Sequence, residues 1–266
     1  MQEHSPDALF GELRSILHQV PSSRRWELFC HVIEPWESLH ARRDDVLCYA
    51  ESFLHRWPSQ YRRPPARWLD RQIVAMTEHS PFWLWPVVRM LDLHETTPLL
   101  PSHLNTSLLA HITQLSLSGS RAHLFLHKLT LLPTLPLTHL TVERWPLSAA
   151  RLLTHLRKLD APQLGALRLT HARHTVGSVD ALCQLPWIHQ VRLLDLSYNF
   201  LDDRALDLLL DAPPARLEHL DLTGNKLSER GIKRLLNHTF TRQLYTLSLG
   251  DNLDLSPALC ARLLDP

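Results

Sequence analysis

The side chains of this sequence that could carry chemistry are its 18 histidines and a small number of carboxylates and arginines. Imidazole is a common metal ligand, and His171, His174 and the nearby Glu143 make the best local group for a metal ion. However, no HExxH motif occurs, and no cluster of cysteine and histidine has the spacing of a zinc finger. We therefore expect the histidines to be polar fillers, with no metal and no cofactor.

The motifs of several common enzyme classes do not occur in this sequence. It contains no GxxxxGK[ST] phosphate loop, no GxGxxG and no GxSxG nucleophile elbow. With only 7 Gly in 266 residues, a glycine-rich cradle for phosphate groups is not expected. No serine, cysteine or histidine stands out as paired with an activating residue. The sequence therefore predicts a protein that is not an enzyme.

Charge and cysteine usage indicate the compartment and the class of partner. Lys and Arg number 28 against 27 Asp and Glu, which gives no general attraction to nucleic acid or to an anionic membrane. The first residues show no signal peptide, and polar residues interrupt the apolar stretches before they reach the length of a membrane span. The four cysteines form no CxxC pair, so buried and reduced thiols in a cytoplasmic protein are expected. Arg outnumbers Lys 24 to 4, which is typical of a GC-rich, bacterial genome.

The distribution of leucine divides the chain at residue 88. Of the 58 Leu, 49 lie in residues 88–266, whereas six of the eight Trp lie in residues 1–87. In the second region the clearest pattern has Leu194 and Leu196 in a strand, followed by Asn199 in a turn and Leu201 beyond it. The Asn position recurs at residues 96, 120, 145, 172, 199, 225 and 252, at intervals of 24 to 27 residues. Residues 88–266 are therefore predicted to be an array of about seven repeats.

The second half of each repeat has the spacing of a helix. After Leu201, the residues at offsets of 5, 8 and 9 are Leu206, Leu209 and Leu210, which lie on one face of a helix. Each unit is thus predicted to be a short strand with inward leucines, a turn and a returning helix. A final helical stretch, Ala258–Leu264, is predicted to close the array.

The pattern LxxLxLxxNxL followed by a helix resembles the leucine-rich repeat family. The segment from Asn225 to Leu236 is particularly similar to the ribonuclease-inhibitor and Ran-GTPase-activator subtype. The resemblance implies an α/β solenoid, with a curved parallel sheet and helices on its convex side. It also implies that the turn Asn bonds to the backbone of neighbouring turns. Four of the seven copies lack this Asn, so less regular turns are expected there, with Trp145 sitting differently.

Residues 1–87 are predicted to be an α-helical segment. Apolar residues at helical spacing follow Ser5-Pro6-Asp7, where Leu9 and Val20 are the first and last inward positions. Further helices are expected up to Pro35, after Asp44 and over Ala66–Glu78. A repeat stack needs its terminal apolar faces covered, so this segment is interpreted as a cap, with a separate docking module as the alternative.

Alternation along the strands predicts which side chains reach the concave surface. Asp195 and Asp221 are expected to be neighbours, with Arg168 on the preceding strand. They could form an acidic spot for Lys or Arg of a partner, or a solvated face with an internal Arg–Asp pair. Tyr198, Trp145 and Arg168 are expected to be exposed hot spots. The predicted partner-binding residues on this face and its adjacent turns are His139, Thr141, Glu143, Arg144, Trp145, Arg168, His171, Asp195, Tyr198, His219 and Asp221.

These observations predict a non-enzymatic scaffold that binds an unidentified protein partner on its concave face. Nucleic acid and membrane are not expected as partners, and the protein is expected to be a monomer. The family resemblance leaves open a regulator of a GTPase or of another enzyme. A bacterial effector or adaptor is a further alternative.

Overall fold

The structure is a computed structural model, which describes residues 6–38, 42–77 and 82–253. The chain divides into two compact units. Unit 1 comprises the described residues within Met1–Asp92 and Ser107–Gln114, and unit 2 those within Leu93–Thr106 and Leu115–Pro266. The boundary drawn between residues 87 and 88 from composition stays a prediction, as does the role of residues 1–87 as a cap.

Unit 1 is built mainly from four α-helices at the places where the sequence predicted them. They are α1 (Pro6–Leu17), α2 (Ser23–Ile33), α3 (Arg43–Leu54) and α4 (Ala66–Thr77). The placement of Val20 on the inner face of α1 was wrong, because α1 ends at Leu17 and the Val20 side chain is 76% exposed. The core is aromatic: Trp26 stacks on Phe29 at 5.2 Å and meets Trp68 edge-on at 6.4 Å.

A buried arginine joins several segments of unit 1. The Arg62 guanidinium donates to the Val87 carbonyl at 2.8 Å, to the Leu54 carbonyl at 2.9 Å and to Glu51 Oε2 at 2.6 Å. Burial, and then the nearby Arg89 charge, lower the pKa of Arg62 to about 10. Glu51 also pairs with Arg89 at 2.6 Å, so one carboxylate holds two guanidinium groups. A charge buried in this way is stabilised only because its donors are paired.

Within the described residues, seven strands form a single sheet in sequence order. The strands are β1 (Met90–Leu93), β2 (Gln114–Ser118), β3 (His139–Glu143), β4 (Ala166–Thr170), β5 (Leu193–Asp195), β6 (His219–Asp221) and β7 (Thr246–Ser248). The α-helices that follow the strands are α5 (Thr106–Leu109), α6 (Ala122–Leu129), α7 (Ala149–Lys158), α8 (Val176–Cys183), α9 (Asp203–Asp211) and α10 (Glu229–Asn237). Consecutive helices from α6 to α10 contact one another. The predicted α/β class with a parallel sheet is confirmed.

The strand register confirms the predicted columns of side chains. His139, Ala166, Leu193, His219 and Thr246 are successive partners across β3 to β7. The column in the middle of these strands runs Thr141, Arg168, Asp195, Asp221 and Ser248. Between these columns, Leu140, Leu167, Leu194 and Leu220 are buried and Leu247 is partly buried. One face of the sheet therefore forms the core and the other carries the columns.

The starts of α9 and α10 are fixed by side chains that accept backbone N–H groups. Asp202 accepts from the Ala205 N–H at the start of α9, and Ser228 accepts from the Gly231 N–H at the start of α10. Asp203 links these two helices, because its carboxylate accepts from the Ser228 N–H at 2.9 Å and from the Ser228 hydroxyl at 2.6 Å. The start of α10 is therefore tied to α9.

Three cysteines fall within the described residues, and all three are free thiols. Cys30 and Cys183 are buried as expected, and burial raises the pKa of both thiols, that of Cys183 to about 11. Cys48 is exposed, contrary to the expectation, because it lies on the outer side of α3. Within the described part of the chain, none of the helices has the length and apolar character needed to cross a bilayer. Cys260 and the predicted closing helix Ala258–Leu264 lie outside the described residues.

Candidate functional site

Each strand from β2 to β7 is followed by a residue in the left-handed backbone region. The residues at this position are Gly119, Arg144, His171, Tyr198, Gly224 and Asp251, with φ between 52° and 78°. A side chain at such a φ costs roughly 1–2 kcal/mol per residue, so glycine is the least costly occupant. Arg173 and Phe200, each two residues further along, also have positive φ. Backbone strain of this kind is often found at functional sites.

Three asparagines hold the turns after β5, β6 and β7. The Asn225 carboxamide oxygen accepts from the Asn199 N–H at 3.1 Å and from the Leu201 N–H at 2.9 Å. Its amide group donates to the Leu196 carbonyl at 3.0 Å and to the Leu222 carbonyl at 2.9 Å. The three residues Asn199, Asn225 and Asn252 all bond to a neighbouring turn in this way. These bonds satisfy buried backbone groups that no helix or strand pairs.

Trp145 and Ala172 occupy the same position in the turns after β3 and β4. Trp145 is only 4% exposed, and its indole N–H donates to the Ser148 carbonyl at 3.2 Å. The prediction that Trp145 is an exposed hot spot was therefore wrong, because the Asn position points into the turn and the indole follows that direction. The expectation that Trp145 sits differently from Asn is confirmed, since its indole bonds within its own turn. Two histidine rings, His123 and His155, meet it edge-on at 6.5 and 6.3 Å.

His171 and Tyr198 form an aromatic stack at the ends of β4 and β5. Their ring centroids are 4.9 Å apart and the rings are 9° from parallel. The Tyr198 ring also lies against Gly224, where an added Cβ would overlap the ring. The Tyr198 hydroxyl donates to Asp251 Oδ2 at 3.2 Å, and this bond raises the pKa of Tyr198. Tyr198 therefore contacts the left-handed residues of three other turns, namely His171, Gly224 and Asp251.

A cavity of about 920 Å³ lies beside this stack. Its cationic lining consists of Arg144 and Arg173, and its aromatic lining includes Trp145, Tyr198 and Phe200. No aspartate or glutamate of the described chain is among the lining residues. The Phe200 side chain is 60% exposed, although Lys226 Nζ lies 5.0 Å from its ring centroid. The cavity thus combines two arginine side chains with flat apolar surfaces.

One wall of the cavity is the amino end of α7. Ser148, Ala149 and Ala150 line the cavity, and Ser148 makes no side-chain capping bond to the helix. The first N–H groups of a helix have no partner within the helix, and that end carries partial positive charge. This wall therefore adds to the positive potential of the two arginines.

Arg168, Asp195 and Asp221 lie side by side on the polar face of the sheet, as predicted. Arg168 Nε is 3.7 Å from Asp195 Oδ2. Each aspartate also accepts a backbone N–H two residues on: Asp195 from Ser197 and Asp221 from Thr223, both at 2.9 Å. These carboxylates therefore stabilise the turns after β5 and β6 by hydrogen bonding, and they also give the sheet face negative charge.

The remaining predicted site residues lie on the same face of the sheet. His139 is close to the Thr138 hydroxyl at 2.9 Å, and burial, then the Arg168 charge, lower the pKa of His139. Glu143 Oε1 is 3.4 Å from Arg144 Nε. His219 Nδ1 lies 2.8 Å from the Thr246 hydroxyl, and three strand positions separate it from His139. The structure thus brings Arg144, Trp145, His171 and Tyr198 to the cavity and leaves His139, Thr141, Glu143, Arg168, Asp195, His219 and Asp221 on the sheet face.

Sequence reasoning missed Arg173, Phe200 and the special character of His174. His174 stands where other repeats have Leu147, Leu201 or Leu227, and it is 2% exposed. His174 Nδ1 lies 3.1 Å from the Ser178 hydroxyl oxygen, and the same hydroxyl lies 2.7 Å from the Thr175 carbonyl oxygen. The other ring nitrogen, Nε2, is buried and has no hydrogen bond among the described residues. Burial lowers the pKa of His174 to about 4.

His171, His174 and Glu143 do not form a metal site. His171 is exposed and stacked on Tyr198, whereas His174 is buried and bonded to Ser178. In the residues that the structure describes, no group of three His, Cys, Asp or Glu side chains is placed to hold a metal ion.

Comparison with models of known protein families found no match, and comparison with curated protein sequences found none either.

Proposed function

We propose that this chain is a leucine-rich repeat protein whose strand–turn–helix units stack as a solenoid with a concave sheet face. The sheet runs in strict sequence order, and the left-handed residue after each strand recurs at intervals of 25 to 27 residues. Bonds from Asn199, Asn225 and Asn252 to neighbouring turns support the same interpretation. A stack of this kind presents one extended surface made from equivalent positions of successive units.

We further propose that the protein is a non-enzymatic scaffold that binds a protein partner on the polar face of the sheet. The observation that carries this proposal is a parallel sheet with one accessible face. Parallel sheets are almost always covered on both faces, yet the Glu143 and Arg168 side chains on this face are 39% and 43% exposed. A preformed polar surface loses little conformational entropy when it binds a partner.

The binding surface in this proposal has two parts. The sheet face contributes His139, Thr141, Glu143, Arg168, Asp195, His219 and Asp221, and the adjacent turns contribute Arg144, His171 and Tyr198. Arg168 and Tyr198 combine exposure with residue types that often dominate binding energy. We propose a monomer of bacterial origin in the reducing cytoplasm, consistent with free thiols at Cys30, Cys48 and Cys183.

The test removes charge from the sheet face without changing the turns. Asp195→Asn with Asp221→Asn keeps the side-chain oxygen that accepts the Ser197 and Thr223 N–H groups. The matched control is Asp180→Asn with Asp211→Asn, two exposed residues on α8 and α9. Affinity purification with mass spectrometry identifies the partner, and titration calorimetry then compares the purified variants.

We expect the sheet-face variant to bind the identified partner about tenfold more weakly or worse, and the helix control to bind as the wild type does. Equal affinity of all three proteins would remove the sheet face from the proposal. A partner that is chemically converted during the assay would contradict the non-enzymatic role.

A further inference from the structure

The cavity at the ends of β3 to β6 carries positive charge that nothing in the described chain neutralises fully. The Arg144 side chain is 73% exposed and has one weak pairing, to Glu143 at 3.4 Å. Arg173 is exposed and has no ion pair within the described residues. The cavity is lined by two arginines and by the amino end of α7, and its lining contains no carboxylate of the described chain. This combination favours an anionic ligand.

The backbone holds both arginines at positions where glycine would be less costly. Arg144 has φ 52° and Arg173 has φ 53°. At the same position as Arg144, the turns after β2 and β6 have Gly119 and Gly224. The long cationic side chains are therefore retained against backbone strain, which points to a role outside folding.

The aromatic part of the cavity limits the kind of anion. Tyr198 and Phe200 are 41% and 60% exposed, and both line the cavity. A polyanion such as nucleic acid is held mainly by several phosphate contacts, whereas this cavity offers two arginines on a chain of net charge +1. A carboxylate next to a large apolar side chain matches both parts of the lining.

We infer that this cavity binds a short acidic peptide segment, in which Asp or Glu carboxylates pair with Arg144 and Arg173 and a neighbouring aromatic side chain packs on Phe200 and Tyr198. The inference rests on the proposed function, because the segment would belong to the protein partner. It adds a second contact to the sheet face and specifies the chemistry of the partner there.

The experiment measures direct binding of defined peptides to the full chain. The probe is a fluorescent, end-blocked peptide with the sequence Gly-Asp-Phe-Asp-Gly. Two matched peptides replace both Asp with Asn, or replace Phe with Ala. The protein variants are Arg144→Glu with Arg173→Glu, Phe200→Ala, and Arg216→Glu as control. Arg216 is exposed and precedes β6, so it lies at the opposite end of the strands from the cavity.

We expect the acidic aromatic peptide to bind the wild type and the Arg216→Glu control equally. The double charge reversal should weaken binding at least about tenfold, and so should replacing Asp by Asn in the peptide. Phe200→Ala should weaken binding of the Phe peptide but not of the Ala peptide. Affinity should fall as salt is raised, because the charges are solvent-exposed.

Equal binding of the Asp and Asn peptides, or no effect of the double charge reversal in a folded protein, would overturn the inference. Tighter binding of single-stranded DNA than of the peptide, abolished by the same double variant, would also overturn it. Because the peptide assay needs no partner, its failure together with a loss of partner binding in the Asp195→Asn, Asp221→Asn variant would reject this inference alone.

Discussion

The turns after β3 and β4 differ from the turns after β5 and β6 in the residue that fills one equivalent position. In the later turns Asn199 and Asn225 satisfy the buried backbone of two successive units. In the earlier turns that position holds Trp145 or Ala172, which cannot bridge two units in this way. Both arginines of the cavity, Arg144 and Arg173, lie in the earlier turns, whereas Tyr198 and Phe200 of its aromatic wall lie in the turn after β5. The asparagines therefore fix the backbone of the later turns, and the earlier turns supply the charge of the candidate site.

The strands before these two sets of turns also differ, in this case in length. β3 and β4 have five residues each, whereas β5, β6 and β7 have three. In β5 and β6 the last residue is Asp195 or Asp221, whose carboxylate takes the N–H that a longer strand would present to its neighbour. In the later units the strand therefore ends after three residues, at the same aspartate position. The earlier units extend polar side chains such as Glu143 and Thr170 further along the sheet.

The largest expected effect comes from breaking a later turn with Asn225→Ala. The change leaves the N–H groups of Asn199 and Leu201 and the Leu196 carbonyl without this partner, whereas the Leu222 carbonyl keeps its bond from Asn252. We expect the free energy of unfolding to fall by about 3–5 kcal/mol, measured by urea denaturation.

The control for this prediction is Asn237→Ala, an exposed residue at the end of α10, which should change stability by less than about 0.5 kcal/mol. If the two variants were equally stable, the Asn bonds would not be what distinguishes the later turns.

The second largest effect is expected from His174→Leu, in the turn after β4. This variant introduces the leucine found at the equivalent positions Leu147, Leu201 and Leu227. Folded His174 has a pKa of about 4 against 6.5 for the free side chain, so the folded protein excludes a proton that the unfolded chain takes up. Wild-type stability should therefore be full above about pH 6.5 and fall as pH drops to about 4. The loss should approach about 3 kcal/mol.

His174→Leu should remove this loss of stability in acid and also stabilise the protein at neutral pH, because Nε2 is buried without a hydrogen bond among the described residues. Urea denaturation at several pH values measures both effects. His139→Leu is the comparison, since burial lowers the pKa of His139 as well but that side chain is half-buried. Parallel pH profiles for wild type and His174→Leu would show that this histidine does not distinguish the earlier turns.

The sheet could be predicted from the sequence because side-chain alternation is a one-dimensional signal. The columns through Arg168, Asp195 and Asp221 followed from the spacing of leucines alone, and the register agrees with them. The order of the strands followed from the predicted repeats, because a short repeat contacts only the repeats before and after it. The bonding of Asn225 to its neighbours was implied by family resemblance, and the contacts agree.

The cavity could not be predicted in the same way. Its lining depends on left-handed backbone at Arg173 and Phe200, which spacing does not reveal for residues other than glycine. Trp145 was expected to be exposed because its residue type is common in binding sites, but its position in the repeat decided its direction. For His174 the signal was present, since alignment of the repeats puts a polar residue at an inward leucine position.

A smaller effect is expected from Gly224→Ala. Gly224 lies in the turn after β6 and packs against the Tyr198 ring of the aromatic stack. Gly224 has φ 67°, and an added Cβ would overlap the Tyr198 ring. We expect a loss of about 1–2 kcal/mol from the backbone and a displacement of Tyr198 from His171. The measurements are urea denaturation and binding of the acidic aromatic peptide, which should weaken. Gly177→Ala is the control, because nothing lies near its Cβ position and it should be neutral or slightly stabilising.

The smallest effect is expected from Arg173→Gly. This variant tests whether the strained backbone at Arg173 is retained because its side chain binds a ligand. Glycine relieves the left-handed backbone at φ 53° but loses more conformational entropy on folding, so the net gain should be about 0.5–1 kcal/mol. Affinity for the acidic peptide should nevertheless fall, because one of two cations is gone. Arg151→Gly in α7 should instead lose about 1 kcal/mol without affecting the peptide. A less stable Arg173→Gly protein with unchanged peptide affinity would mean that this arginine suits its turn and serves no ligand.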